Sequence, residues 1–293
     1  MHSRVAAHEL RDILAPGRLS HVVDVGANPI GAAPPYKGML DAGLCRVTGF
    51  EPQPDALAEL NRAKGPHETY LPGVVGDGSL RTLNLCRHSG LSSTLEPDPR
   101  ALEVFTLFKS GAEVLQRVEV QTRRLDDIAE VAEVDFLKLD IQGGELAVLR
   151  HGRGKLRRAV VIQTEISFAT LYQGQPGCGE IDCELRAQGF MPFCFESIRP
   201  YDVSPVTINA RPLAGAKQVL EADLVYVRNY VEPAALDAEQ LKQLCLIMHH
   251  CYGAYDLCLA SLMRLRQLGE VSPAGVQRYA DLLLAIGALR DPS

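Results

Sequence analysis

The stretch "HVVDVGANPIGAAPPYKGML" runs from His21 to Leu40. An apolar run ends in Asp24, a turn punctuated by Gly26 and Gly31 follows, and prolines lead into a helical pattern near Tyr36–Gly43. A buried strand passing through a glycine turn into a helix is the opening unit of a doubly wound α/β sheet. Similar apolar runs recur at "RVTGFE" (46–51), "YLPGVVG" (70–76), "VDFLKLD" (134–140) and "AVVIQTEI" (159–166). Each has the length and composition of a parallel strand covered on both faces. Helical patterns separate most of them, including "PQPDALAELNRAK" after Glu51 and "GGELAVLRHG" after Asp140. "GFMPFCFESI" (189–198) and "QVLEADLVYVR" (218–228) have no clear helix between them and read as an antiparallel pair at the sheet edge, where Pro192 is tolerated. The pattern predicts a Rossmann-like, seven-stranded sheet, mostly parallel with an antiparallel edge strand.

Two segments interrupt this rhythm. An insertion of about 79–133 carries "SLRTLNLCR" and "QRVEVQTRRL", a paired β excursion, around the polar loop "SGLSSTLEPDPR". From residue 231 the pattern becomes helical. Leu241, Leu244, Met248, Tyr252, Tyr255, Leu259 and Leu262 recur at steps of three or four, and Ser272 with Pro273 marks a helix start before Leu282–Leu284 and Ile286. We divide the chain into a sheet domain, 1–230, and a helical C-terminal extension, 231–293. The extension either packs as a hairpin on its own sheet or joins two copies as a homodimer.

The chain has 293 residues, a net charge of −6 and no long basic run, which disfavours a nucleic-acid partner. The first residues lack a basic segment followed by an apolar block, and no run is long enough to cross a bilayer, so a cytoplasmic protein without a membrane partner is expected. Eight cysteines without a CxxC read as reduced thiols. His249 and His250 beside Cys251 have no second cluster of ligand spacing, so zinc is not favoured.

Ligands of such sheets sit at the carboxyl ends of the strands. A dinucleotide loop, G-x-G-x-x-G, needs its second glycine for close approach to the pyrophosphate. Here that position is Asn28, which disfavours a pyrophosphate but not S-adenosylmethionine, whose amine and carboxylate would lie over the turn formed by Gly26, Ala27, Asn28 and Gly31. Asp24 would help fix the ammonium side. Glu51, ending the second strand, suits the ribose hydroxyls of either ligand. Gly76 and Asp77 either flank an adenine or form a plain strand-end turn.

At this point the residues resemble a family. "VVDVGANPIG", "GFEPQP", "RLDDI", "VDFLKLDIQGGELAVLRHG", "VIQTEI" and "LYQGQPGCGEIDCELRAQGF" follow the order of FkbM-type S-adenosylmethionine-dependent methyltransferases, over roughly 21–228. "KLDIQGGE" looks like that family's K-[IL]-D-x-[EQ]-G-x-E block. One departure is the two residues, Pro29 and Ile30, where the family usually has one between Asn and Gly. The resemblance implies S-adenosylmethionine as cofactor and an oxygen on a small-molecule or glycan acceptor. The "PPY" at 34–36 looks like the block of amine methyltransferases, but it follows the first strand and not the fourth. It reads as prolines shaping the start of a helix.

Asp140 and Glu165 end adjacent strands, and we take them as the catalytic residues: two carboxylates there suit a base pair, or a divalent metal, which is not favoured. Glu145 is either a third carboxylate or a helix N-terminal residue. A buried Lys138 needs a carboxylate, with Glu145 or Glu165 as candidates. The alternatives are an NAD(P)-linked oxidoreductase, disfavoured by Asn28 and by the lack of an evident proton donor, and a non-catalytic assembly module.

Overall fold

The computed structural model describes residues 2–205, 216–232 and 236–288, with side chains from residue 8 onward. Residues 206–215, 233–235 and 289–293 lie outside the described residues. In chain order the elements are α1 (His2–Leu14), β1 (Ser20–Val25), α2 (Lys37–Asp41), β2 (Cys45–Phe50), α3 (Pro54–Ala63), β3 (Glu68–Leu71), β4 (Leu80–Cys86), α4 (Pro99–Val104), β5 (Val114–Gln121), β6 (Phe136–Leu139), α5 (Glu145–Arg150), α6 (Arg153–Leu156), β7 (Val161–Ser167), α7 (Cys178–Ala187), β8 (Phe190–Tyr201), β9 (Gln218–Arg228), α8 (Ala238–Tyr252), α9 (Tyr255–Gln267) and α10 (Pro273–Ala285).

The main sheet has seven strands in the order β3-β2-β1-β6-β7-β9-β8, and β4 and β5 pair separately. From β3 to β7 all neighbours are parallel. β9 runs antiparallel to both β7 and β8, so the reversed strand lies one place in from the edge and β8, with Pro192, forms the edge. This is the predicted Rossmann-like architecture. The order reverses between β1 and β6, which opens a crevice at their carboxyl ends.

Alternation along each strand divides the core. Val22, Val47, Phe136, Val161, Val225 and Val227 pack on one face with α1, α2 and α8. Val23, Val25, Leu137, Leu139, Ile162 and Tyr226 pack on the other with Leu146 and Leu149 of α5 and Ile181 and Leu185 of α7. Burial on both faces explains why the strands read as unbroken apolar runs.

Two expectations need correcting. The apolar run at 70–76 predicts a third strand there, but β3 spans Glu68–Leu71; Pro72 lacks a ladder donor and Gly73 turns at φ 123, so Val75 forms only an isolated bridge with Arg123. The apolar stripe of the extension also runs through a break. Gly253 adopts φ 61 and caps α8, dividing the stripe between α8 and α9. Leu241, Leu244, Met248 and Leu262 from that stripe are buried in the same cluster as the sheet's valines. Leu283 of α10 is buried too, while Leu284 and Ile286 are exposed. Among the described residues no helix is long and apolar enough to cross a membrane.

Candidate active site

The carboxyl ends of β1 and β6 are in direct contact. Asp140 N–H donates to Val25 O at 3.1 Å, and Gly26 turns at φ 86 with its N–H on Phe50 O. A Cβ on Gly26 would lie 2.0 Å from Asp140 O, so the chain passes here only without a side chain. The glycine loop and the strand end bearing Asp140 are therefore two walls of one crevice.

Asn28 stands in the loop with its Oδ1 buried and without a protein partner. An unpaired buried oxygen is costly unless something donates to it. Ala27 is buried beneath the turn; Gly31, displaced by Pro29 and Ile30, is exposed at φ 87 with nothing near its Cβ position. Glu51 is only 2% exposed and accepts from Gln53 N–H at 2.8 Å. Burial pushes its carboxyl up to about 7, with Asp24 adding to the rise and the Gln53 N–H opposing it. An orphaned amide oxygen and a strained carboxyl at neighbouring strand ends fit a ligand that brings an ammonium group and ribose hydroxyls.

Gly76 and Asp77 form a turn tied to the end of β5. Gly76 N–H donates to Arg123 O at 2.8 Å, and Asp77 Oδ1 accepts from Ser79 N–H at 3.0 Å and from Ser79 Oγ at 2.6 Å. The Arg81 guanidinium holds the Asp77 carboxyl well below the usual range.

Asp24 is buried and engaged on two sides. Tyr36 Oη donates to it at 2.5 Å, and Lys138 Nζ stands 3.3 Å away. The partner of Lys138 is thus Asp24, not Glu145 or Glu165 as the sequence suggested: Asp24 and Lys138 are register neighbours on adjacent strands and share a face. Burial pulls Lys138 down, and Asp24 and Asp140 more than offset it, so its ammonium lies above its ordinary value. Tyr36 is the "PPY" tyrosine. It sits at the N-cap of α2, as the proline reading required, but it also holds a site carboxylate. Its ring meets Phe136 edge-on, and Tyr252 of α8 meets the same ring from its own side. Tyr252 Oη donates to Gln163 Oε1 at 2.8 Å, and Gln163 is the register neighbour of Lys138. The extension therefore reaches the polar row at the crevice.

Asp140 and Glu165 are brought together by a residue the sequence reading missed. Gln142 Nε2 donates to Asp140 Oδ1 at 3.2 Å and to Glu165 Oε2 at 2.6 Å. Glu165 does not end its strand as the sequence suggested, because pairing with β9 carries β7 on to Ser167; it is buried within the ladder, and its other oxygen accepts from Arg199 of β8 at 3.0 Å. Arg199 also pairs with Glu221 and Asp223 of β9. Burial first, then Asp140 and Glu221, push the Glu165 carboxyl well up, with Arg199 opposing. Glu145 takes the helix-terminal role: its carboxylate accepts from Ile141 N–H at 2.9 Å and Gly143 N–H at 2.8 Å. Among the described residues no group of three His, Cys, Asp or Glu side chains is arranged to hold a metal ion. His249, one of the histidines weighed for zinc, has Nδ1 3.1 Å from Tyr279 Oη.

Doubly wound α/β sheets bind their ligands at such a switch point, and the sequence narrows the class. Residues 24–192 match the methyltransferase FkbM domain, and the chain belongs to that family. A relative, the 2-O-methyltransferase NoeI of Sinorhizobium fredii (strain NBRC 101917 / NGR234), is 39% identical over 61 residues, which is 20% of this chain and 25% of that protein. The match thus spans a quarter of that relative's length. Among solved structures, magnesium protoporphyrin IX methyltransferase from Synechocystis PCC 6803, with bound SAM, is 13% identical with a TM-score of 0.37, covering 78% of this chain and 80% of that one. Precorrin-6y C5,15-methyltransferase from Geobacter metallireducens GS-15 is 11% identical with a TM-score of 0.34, covering 77% and 88%.

Proposed function

We propose that this methyltransferase uses S-adenosylmethionine to methylate a hydroxyl on a small molecule or glycan, with Asp140 and Glu165 as its acid–base pair. The observation that carries the reading is the contact of Gly26 with Asp140, which sets a loop suited to the donor beside a carboxylate suited to the acceptor. When bound, S-adenosylmethionine supplies an electrophilic methyl group on a sulfonium. Glu51 would accept from the ribose hydroxyls. Asn28 Oδ1 and Asp24 would face the ammonium, with Ala27 and Gly31 in the same turn and Gly76–Asp77 toward the adenine. Asp140, only partly buried, is the carboxylate that would take the proton of an acceptor hydroxyl. Glu165, buried against Arg199, would hold the arrangement and share the proton. The relative's printed activity, 2-O-methylation, supports oxygen as the target.

We place the protein in the cytoplasm and read 231–293 as an extension that covers the sheet. A homodimer through that extension would use its exposed Met263, Leu284 and Ile286.

The test is calorimetry with S-adenosylmethionine and with NAD(P)H, followed by demethylated-donor release over a panel of hydroxylated acceptors. Wild type and Asp140→Asn should bind S-adenosylmethionine alike, and Asp140→Asn should turn over at least ~100-fold more slowly. Binding of NAD(P)H in place of S-adenosylmethionine, or full turnover by Asp140→Asn, would overturn the proposal.

A further inference from the structure

Gln142 stands in left-handed backbone at φ 57, where a non-glycine residue is strained unless its surroundings impose it. They do so from four directions. The peptide N–H groups on either side, Ile141 and Gly143, both donate to the Glu145 carboxylate. The Gln142 carbonyl accepts from Ser93 Oγ of the insertion at 2.6 Å. Gln142 Oε1 lies 3.0 Å from Tyr172 Oη, whose single hydrogen it shares with Leu91 O at 2.9 Å, and Tyr172, 2% exposed, is wedged among Phe105, Leu171 and Leu220. With its oxygen turned to Tyr172, the amide can present its two hydrogens only to Asp140 and Glu165.

Two carboxylates held this close repel one another and ordinarily need a shared proton or a cation between them. Here a neutral amide with two donor hydrogens occupies that position. We infer that Gln142 is the positioning residue of the acid–base pair: its amide bridges Asp140 and Glu165 in the place a divalent cation would take, and Tyr172 and Ser93 keep it aimed. This rests on the proposed role of Asp140 and Glu165. The strain is stored where a loop must hold one side chain in one direction. The insertion acquires a function as well, because Ser93 brings it onto the turn after β6.

The groups facing the pair are Lys138 on β6, Glu145 on α5, Arg199 on β8, Glu221 and Asp223 on β9, and the Tyr172 hydroxyl. Gln142→Met keeps the length and removes the donors without altering any of these charges. In ¹³C NMR titration of the carboxyls, assigned with Asp140→Asn and Glu165→Gln, Gln142→Met should raise the midpoint of one of the pair by about one pH unit or more. Tyr172→Phe, which keeps the ring in its apolar wedge, should give a smaller rise and serves if the methionine variant does not fold. S-adenosylmethionine affinity, measured by calorimetry, should stay within about threefold of wild type in both, because neither residue lies on the donor loop. Unmoved carboxyl midpoints in the folded variants would overturn the inference, as would Mg²⁺ binding by wild type that shifts both carboxyl resonances. Failure of wild type to bind S-adenosylmethionine would instead remove the proposed function, so the two failures are distinguishable.

Discussion

Glu51 gives the sharpest test of the donor site. Its carboxyl is 2% exposed and is pushed up to about 7, chiefly by burial. Ribose hydroxyls donate, so they bind the carboxylate and not the acid. With a value near 7, roughly one-eleventh of the free protein has Glu51 ionised at pH 6 and roughly ten-elevenths at pH 8, so affinity should rise about tenfold across that window. Glu51→Gln should flatten the rise, and comparison with it subtracts the titration of the ligand itself. Glu51→Ala should weaken binding by roughly 1.5–3 kcal/mol, about 10- to 150-fold, at pH 8. Stability should move the other way. A carboxyl raised in the folded state binds its proton more tightly there than in the unfolded chain. Its contribution is complete below its ordinary value near 4.5 and is lost as pH rises through about 7. The loss amounts to about 3 kcal/mol, so Glu51→Gln should gain on wild type in urea titrations as pH is raised from 5 to 8. Calorimetry at pH 6, 7 and 8 reads the first effect. Equal affinities at all three, with Glu51→Ala unchanged, would refute the assignment.

Gly26→Ala should cost about 3 kcal/mol or more in urea unfolding, since its Cβ would fall 2.0 Å from Asp140 O in a backbone at φ 86; a stable variant would mean the two walls can part. Lys138→Met leaves Asp24 buried without its cation and should destabilise by about 3–5 kcal/mol. Tyr36→Phe should cost about 1.5–3 kcal/mol, and a double variant less than the sum, because both act on one carboxylate; strict additivity would contradict that coupling. Removing residues 231–293 bares Phe136, Val161 and Val225 and should give aggregated protein, whereas a soluble monomer would mean the extension does not cover the sheet.

The sheet was legible because parallel strands buried on both faces leave long apolar runs, and the third strand's misplaced end lies where Pro72 and Gly73 stop a ladder that the apolar Val74 and Val75 continue in sequence only. The positions of Gly26, Asn28, Glu51 and Asp140 at or just past strand ends were legible because such runs can be counted, whereas Glu165 falls inside β7, whose ladder with β9 continues to Ser167. The partners of those residues were not. Lys138 joins Asp24 because β1 and β6, 114 residues apart at these positions, are neighbours in the sheet, and nothing local encodes that pairing. Arg199 lies in a segment with no motif, and Tyr172, although inside the family-like "LYQGQPGCGEIDCELRAQGF", has nothing local that points it at Gln142. Gln142 did carry a signal, the Glu-or-Gln position of "KLDIQGGE", but its bridging geometry depends on the left-handed turn, and two glycines after it are the only local hint of one.

The family match begins at Asp24, inside β1, and ends at Pro192, inside β8. It omits β9, which pairs with β7 from Val161 to Ser167, and it omits α1 and α8, which cover the valine face. A fragment cut to those limits would keep Asp24, Glu51, Asp140 and Glu165, yet it would lose Arg199 with Glu221 and Asp223 and leave β7 with an open edge of unpaired donors and acceptors. The portion that carries the chemistry is thus smaller than the portion that can stand in water. Grafting this activity onto another scaffold would require transplanting the reversed strand and both covering helices, although none of the three belongs to the recognisable motif.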